Sequence, residues 1–134
     1  MKVFISHSQA DEKWADALRK GLSQQGIEVW DPALEIAPGE NWGLKYGKGL
    51  EASDAMIVLL SPESAKSDMV RHEIDYALGS PRFRDRLVSV LVRPTTDVPW
   101  ILEKQSFIRA TKDIDKTVDE VTRALKTRDT KLAG

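Results

Sequence analysis

Ala55-Met56-Ile57-Val58-Leu59-Leu60, followed at once by Ser61-Pro62-Glu63, sets the fold class. An unbroken apolar run of this length suits a strand covered on both faces, as in a parallel sheet with helices above and below. Ser61-Pro62-Glu63 then opens a helix, since serine can cap it and proline fits its first turn. That helix carries Val70, Ile74, Ala77 and Leu78 on its buried side, and Gly79-Ser80-Pro81 closes it.

The same alternation extends in both directions. Toward the N-terminus, Val3–Ser6 reads as a strand, Ser8–Asp11 as a polar turn, and Trp14, Ala15, Leu18 and Leu22 as one face of a helix ended by Gly26. Ile27–Trp30 is a second strand. Asp31–Asn41, with Pro32, Pro38 and Gly39, reads as a loop, long for a strand-to-helix connection and for that reason a place to look for function. Trp42–Ala52 reads as a helix with Trp42, Tyr46 and Leu50 on one stripe, weakened by Gly43, Gly47 and Gly49. Toward the C-terminus come a strand at Leu87–Val92, a loop at Pro94–Pro99, one helical turn at Trp100–Leu102 and a short edge strand at Ser106–Arg109. Ile114, Val118, Val121 and Leu125 mark a last helix, and Thr127–Gly134 a frayed tail. Five strands alternating with helices predict an α/β fold built on a doubly wound parallel sheet, whose ligand sites lie beyond the carboxyl ends of the strands.

Composition narrows the function. The 134 residues suit one domain, and no segment reaches the ~20 apolar residues that a membrane span needs. Val3–Ile5 is too short for a signal-peptide core, and the chain has no cysteine, so a cytoplasmic protein without disulfides or thiol metal ligands is expected. Twenty basic against twenty-one acidic side chains leave no field that favours nucleic acid or membrane. Arg82, Arg84 and Arg86 alternate with Phe83 and Asp85; they read as a solvated loop leading into a strand or as a phosphate contact. The sequence has no GxGxxG, P-loop, GxSxG or HExxH, and His7 and His72 are not spaced for a metal site, so neither metal nor cofactor is expected.

Several residues carry two readings. Ser6, His7 and Ser8 end the first strand, where they can meet a phosphate or ribose or cap the next helix. Asp31 can orient the loop, contact a ligand or form a turn. Trp42 can stack on a base or join the core, whereas Trp14, Trp30 and Trp100 read as core. Lys45 and Lys48 read as solvated. Glu73 borders the Val70-Ile74-Ala77 stripe one turn from Met69; it is either an exposed helix glutamate or a carboxylate turned into a cleft, where burial would raise its pKa.

In order and spacing these pieces resemble the TIR (Toll/interleukin-1 receptor) domain family over about residues 2–126. Val3-Phe4-Ile5-Ser6-His7-Ser8 looks like the family's first box, and Gly26-Ile27-Glu28-Val29-Trp30-Asp31 like its second strand entering the BB loop. Pro38-Gly39-Glu40-Asn41-Trp42 looks like the loop's exit. Ala52–Pro62, with Ser67, Arg71 and Glu73, is similar to the strand and helix that hold the catalytic glutamate in members that hydrolyse NAD+. The resemblance implies a flavodoxin-like TIR domain over residues 1–126 with a tail at 127–134. It implies NAD+ as substrate, with no cofactor, and Glu73 as the catalytic residue. Ser6, His7, Ser8, Asp31, Ala37 and Trp42 would bind the substrate, and Pro38 and Gly39 would lie in the loop through which TIR domains self-associate. Cleavage of the nicotinamide–ribose bond would give ADP-ribose or a cyclic isomer, in prokaryotic antiphage signalling with a sensor domain or downstream effector as partner. A non-enzymatic TIR–TIR adaptor and a nucleoside or nucleotide N-glycosidase of related fold are the competing readings. Two departures bear on this: Met69-Val70 stands where family members often carry Trp-Cys, and Ala37 stands where some relatives carry an acid, leaving only a backbone contact.

Overall fold

A computed structural model describes residues 1–83 and 85–133, with side chains as far as Lys126. The strands are β1 (Lys2–Ser6), β2 (Glu28–Trp30), β3 (Ala55–Leu60), β4 (Leu87–Leu91) and β5 (Ser106–Arg109). The helices are α1 (Glu12–Gln24), α2 (Pro32–Glu35), α3 (Trp42–Ala52), α4 (Pro62–Ala65), α5 (Asp68–Gly79), α6 (Trp100–Glu103) and α7 (Ile114–Ala133). The strands form one five-stranded sheet of order β2-β1-β3-β4-β5, every pair parallel. The expected doubly wound α/β fold is therefore present, and the chain reverses its direction of winding at β1, the place where such sheets open a crevice.

Strand alternation divides the core into two layers. Val3, Ile5, Ala55, Ile57, Leu59, Val88 and Val90 face α1 and α7, meeting Leu18, Leu22, Val118 and Val121. Phe4, Met56, Val58, Leu60 and Leu87 face the other way, onto Leu50 of α3, Val70, Ile74 and Ala77 of α5, and Leu102 of α6. All six residues of β3 are buried, as a strand covered on both faces requires. Gly26, with φ of 79°, takes the left-handed turn that ends the first helical segment.

Several elements differ from the expectation. The helix expected from Ser61 to Gly79 is two helices, because Ser61 and Ser64 close a capping box around α4 and Ser67 accepts from the Val70 amide to start α5. Asp31–Asn41 contains a helical turn, α2, capped by Asp31 and followed by turn and coil. The Arg82–Arg86 segment is not simply solvated: Phe83 is wholly buried, and the Arg82 guanidinium donates to the Leu50 and Glu51 carbonyls at the end of α3. Arg84 lies outside the described residues. Trp100 is 71% exposed, because α6 is a single turn that sends only Leu102 into the core. Trp14 and Trp30 are partly buried at the edge of the two layers. The helical backbone of α7 runs through residues 127–133; their side chains, and Gly134 altogether, lie outside the described residues. No helix among the described residues is long and apolar enough to cross a membrane.

Of the α3 glycines, Gly49 has a packing reason. A Cβ there would lie 2.5 Å from the Trp30 ring, which is itself stacked on Phe4 at 5.4 Å, whereas a Cβ at Gly47 meets nothing within 4 Å. Gly49→Ala is expected to destabilise by about 1–2 kcal/mol, since overpacking against a braced ring outweighs the gain in helix propensity, and Gly47→Ala to stabilise by about 0.5–1 kcal/mol. Urea unfolding checks this: the two midpoints should move in opposite directions at unchanged m, and a rise for both would show that α3 does not press on Trp30.

Candidate active site

A cavity of about 420 Å³ opens beside the carboxyl ends of β1 and β2. His7 follows β1, Asp31, Pro32 and Ala33 follow β2, Gln9 and Glu12 come from the turn into α1, Trp42 from α3, and Met69 and Glu73 from α5. Sheet topology thus gathers residues separated by more than sixty positions around one opening.

Glu73 is its most constrained group. On α5 it sits within the buried stripe of Val70, Ile74 and Ala77, and it is only 3% exposed. A carboxylate so buried needs donors. Ser6, the last residue of β1, donates its hydroxyl to Oε1 at 2.7 Å, and Tyr46 of α3 donates its phenol to Oε2 at 2.7 Å. Burial raises the pKa of Glu73, the charge of Asp31 adds to that, and the hydrogen bonds from Tyr46 and Ser6 together with the charge of His7 work against it. Burial is also the main reason that the Tyr46 phenol is held far above its usual range, reinforced by its bond to Glu73 and by that carboxylate's charge. Tyr46 therefore remains a donor throughout the physiological range.

His7 faces two acceptors. Its Nδ1 lies 2.7 Å from the Ser8 carbonyl and its Nε2 2.9 Å from Asp31 Oδ2. Neither partner can donate when Asp31 is ionised, so both contacts are satisfied at once only if both ring nitrogens carry protons. Burial alone would lower the pKa of His7, but the hydrogen bonds to Asp31 and Ser8 and the charges of Asp31 and Glu73 outweigh it and leave the pKa raised. Asp31 has a second task, since Oδ1 accepts from the Ala33 amide at 3.0 Å and so starts α2. One oxygen of the Asp31 carboxylate thus caps α2 while the other meets His7.

The remaining candidates divide. Trp42 lines the cavity, 44% exposed, with its indole stacked on Tyr46 at 4.6 Å. Ser6 stands behind the cavity and gives its hydroxyl to Glu73. Ser8 turns away and donates to Asp11 at 3.1 Å, within a network that also holds Ser61 and Arg93. Ala37, Pro38 and Gly39 are exposed and do not line this cavity; the Ala37 amide donates to Glu40 Oε1 at 2.8 Å, so the backbone contact left open for it is already made within the loop. Glu40 in turn pairs with Lys45, which is not simply solvated. Met69 lines the cavity at 46% exposure, occupying space beside Glu73. Tyr46 is the residue that sequence reasoning passed over. Its position on the Trp42-Tyr46-Leu50 stripe identified a packed ring, and the signal that could have found it is that a buried-facing tyrosine, unlike a phenylalanine, needs a partner for its hydroxyl.

Comparison with known proteins places the chain in a family. The family described as TIR domain matches residues 3–126. The chain is 29% identical over 127 residues to "NAD(+) hydrolase PdTIR" of Paracoccus denitrificans, covering 89% of this chain and 42% of that protein. It is 32% identical over 74 residues to "2' cyclic ADP-D-ribose synthase AbTIR" of Acinetobacter baumannii, covering 54% of this chain and 28% of that one. The chain thus spans less than half the length of these relatives. Among solved structures, the TIR domain of the Toll-related receptor TRR-2 from Hydra magnipapillata superposes with a TM-score of 0.72 at 23% identity, over 96% of this chain and 97% of that one. A prokaryotic SEFIR domain superposes with a TM-score of 0.68 at 17% identity, over 92% and 91%.

The His7–Asp31 pair yields a pH prediction. His7 should titrate above the ordinary histidine value near 6.5 and lose its second proton only as pH rises through that raised value. Asp31→Asn removes the charge that supports the imidazolium and should bring the titration of His7 down. Proton NMR of the His7 ring reads the curve; an unmoved His7 curve would mean that Asp31 does not hold the proton.

Proposed function

Because the chain belongs to the TIR domain family, we propose that it cleaves the bond between nicotinamide and ribose in NAD+, releasing nicotinamide and leaving ADP-ribose or a cyclic isomer of it. The observation that carries this reading is a buried carboxylate, Glu73, at the wall of an open cavity, whose hydrogen bonds among the described residues come from two neutral hydroxyls. The names of the Paracoccus and Acinetobacter relatives support the choice of NAD+.

The chemistry asks little of an acid. Nicotinamide leaves as a neutral molecule from a cationic pyridinium, taking the bonding electron pair, so the site's task is to stabilise positive charge developing on the ribose. Ionised Glu73 is suited to that task. A carboxylate has about four acceptor positions, so with one hydrogen bond to each oxygen Glu73 can still accept from ribose hydroxyls and orient the sugar. Trp42, exposed at the cavity, offers a ring face for the nicotinamide or adenine. The nucleophile decides the product: water adds to the anomeric carbon and loses a proton to give ADP-ribose, whereas a group on the adenosine part adds within the same molecule to give a cyclic isomer. A drier cavity favours the second.

In this reading Ser6 positions Glu73, while His7 and Asp31 shape the wall nearest the substrate. Self-association runs through the exposed Pro38 and Gly39, and the output is antiphage signalling in the cytoplasm of a prokaryote. Relatives more than twice the length of this chain leave room for a separate sensor domain or a downstream effector as partner.

Concentrated wild-type protein and Glu73→Gln, incubated with NAD+ and followed by chromatography, test the reading. Wild type is expected to consume NAD+, and the variant to be slower by about 10²-fold or more. No consumption by wild type even when crowded would leave the non-enzymatic adaptor reading in its place, and equal rates would remove Glu73 from the reaction.

A further inference from the structure

The geometry points to Tyr46 as a positioning residue that fixes the orientation and charge of Glu73, with Trp42 bracing its ring. The role rests on the NAD+-cleaving reading for its catalytic meaning, but its physical content stands apart from any substrate.

The two donors to Glu73 differ in kind. Ser6 is 1% exposed at the end of β1, inside the sheet, and its placement is set by strand pairing with Val58. Tyr46 is only partly buried and reaches Glu73 from α3, a helix that follows the 31–41 segment and carries three glycines. Something must hold that ring, because a phenol swung away would leave Oε2 without a hydrogen-bond donor among the described residues, in a site where burial already disfavours the charge. Two aromatic contacts do so. The Trp42 indole lies on the Tyr46 ring at 4.6 Å and 15°, and Phe4 of β1 meets it edge-on at 5.8 Å and 90°. The four-residue spacing of Trp42 and Tyr46 on α3 makes the stack a direct consequence of helix geometry.

The arrangement has a functional corollary. Trp42 both lines the cavity and stacks on Tyr46, so a base that settles on Trp42 presses on the ring that orients the carboxylate. Binding on Trp42 and the position of Glu73 are then linked through two adjacent rings on one helix.

Tyr46→Phe removes the hydroxyl and keeps both ring contacts, so it is expected to fold. Titration of Glu73 by carbon NMR of its carboxyl should show a pKa higher in Tyr46→Phe than in wild type, because a hydrogen bond to the charged form is gone. That readout needs no turnover, and an unchanged curve overturns the role whether or not the chain acts on NAD+. With NAD+ as substrate, kcat should fall about 10-fold or more with KM within about 2-fold, and the acid limb of the kcat profile should move to higher pH. A rise in KM alone would make Tyr46 a binding residue and also overturns the proposal. If wild type shows no cleavage while the titration shifts as expected, the NAD+ reading fails and the positioning of Glu73 stands.

Discussion

Burying a carboxylate whose hydrogen bonds among the described residues come from neutral hydroxyls is the constraint on which the rest of this site depends. Glu73 occupies a position on α5 that the helix pattern would give to an apolar residue, and its stripe neighbours Val70, Ile74 and Ala77 all pack against the sheet. At 3% exposure it has little access to solvent, so the protein must supply donors, and they come from outside α5. They come from the end of β1 and from α3, which makes the relative placement of three elements a condition for the ionised site. The same burial that makes the carboxylate costly keeps its pKa raised.

The sheet explains why those elements meet. With β1 lying between β2 and β3 and winding reversed there, the residues after β1 and β2 converge on one edge, and α5, arriving from β3, closes the side. The network in which Asp11 accepts from Ser8, Ser61 and Arg93 ties the turns after β1, β3 and β4 to each other. His7 and Asp31 add a charged pair that fixes the start of α2 and brings a second polarity into the cavity wall.

Much of this was legible in the sequence because it depends on periodicity. The unbroken apolar run at Ala55–Leu60 and the three-and-four spacings before and after it specify the strands, the helix faces and the parallel order. Glu73 was legible only as a border residue: the stripe placed it near the cleft, but whether it faced in or out depended on the start of α5, which Ser67 shifts by capping a new helix where one continuous helix was expected. Tyr46 escaped for a similar reason, since helix spacing tells that a ring is packed and not what its hydroxyl reaches twenty-seven positions away. Trp100 shows the reverse error, for a large aromatic residue in a one-turn helix has no stripe to bury it. The exposed Ala37-Pro38-Gly39 segment could be placed on a loop from its composition, but nothing in one chain brings it to the cavity.

The central claim is that this cavity breaks one particular bond. Proton NMR of NAD+ mixed with concentrated wild-type protein follows every resonance of the dinucleotide at once and identifies the bond directly. The account predicts that signals of free nicotinamide grow in step with loss of the NAD+ ribose anomeric proton while the diphosphate link stays whole. A spectrum that does not change, or one in which the dinucleotide is cut at its diphosphate and nicotinamide stays on its ribose, would contradict it.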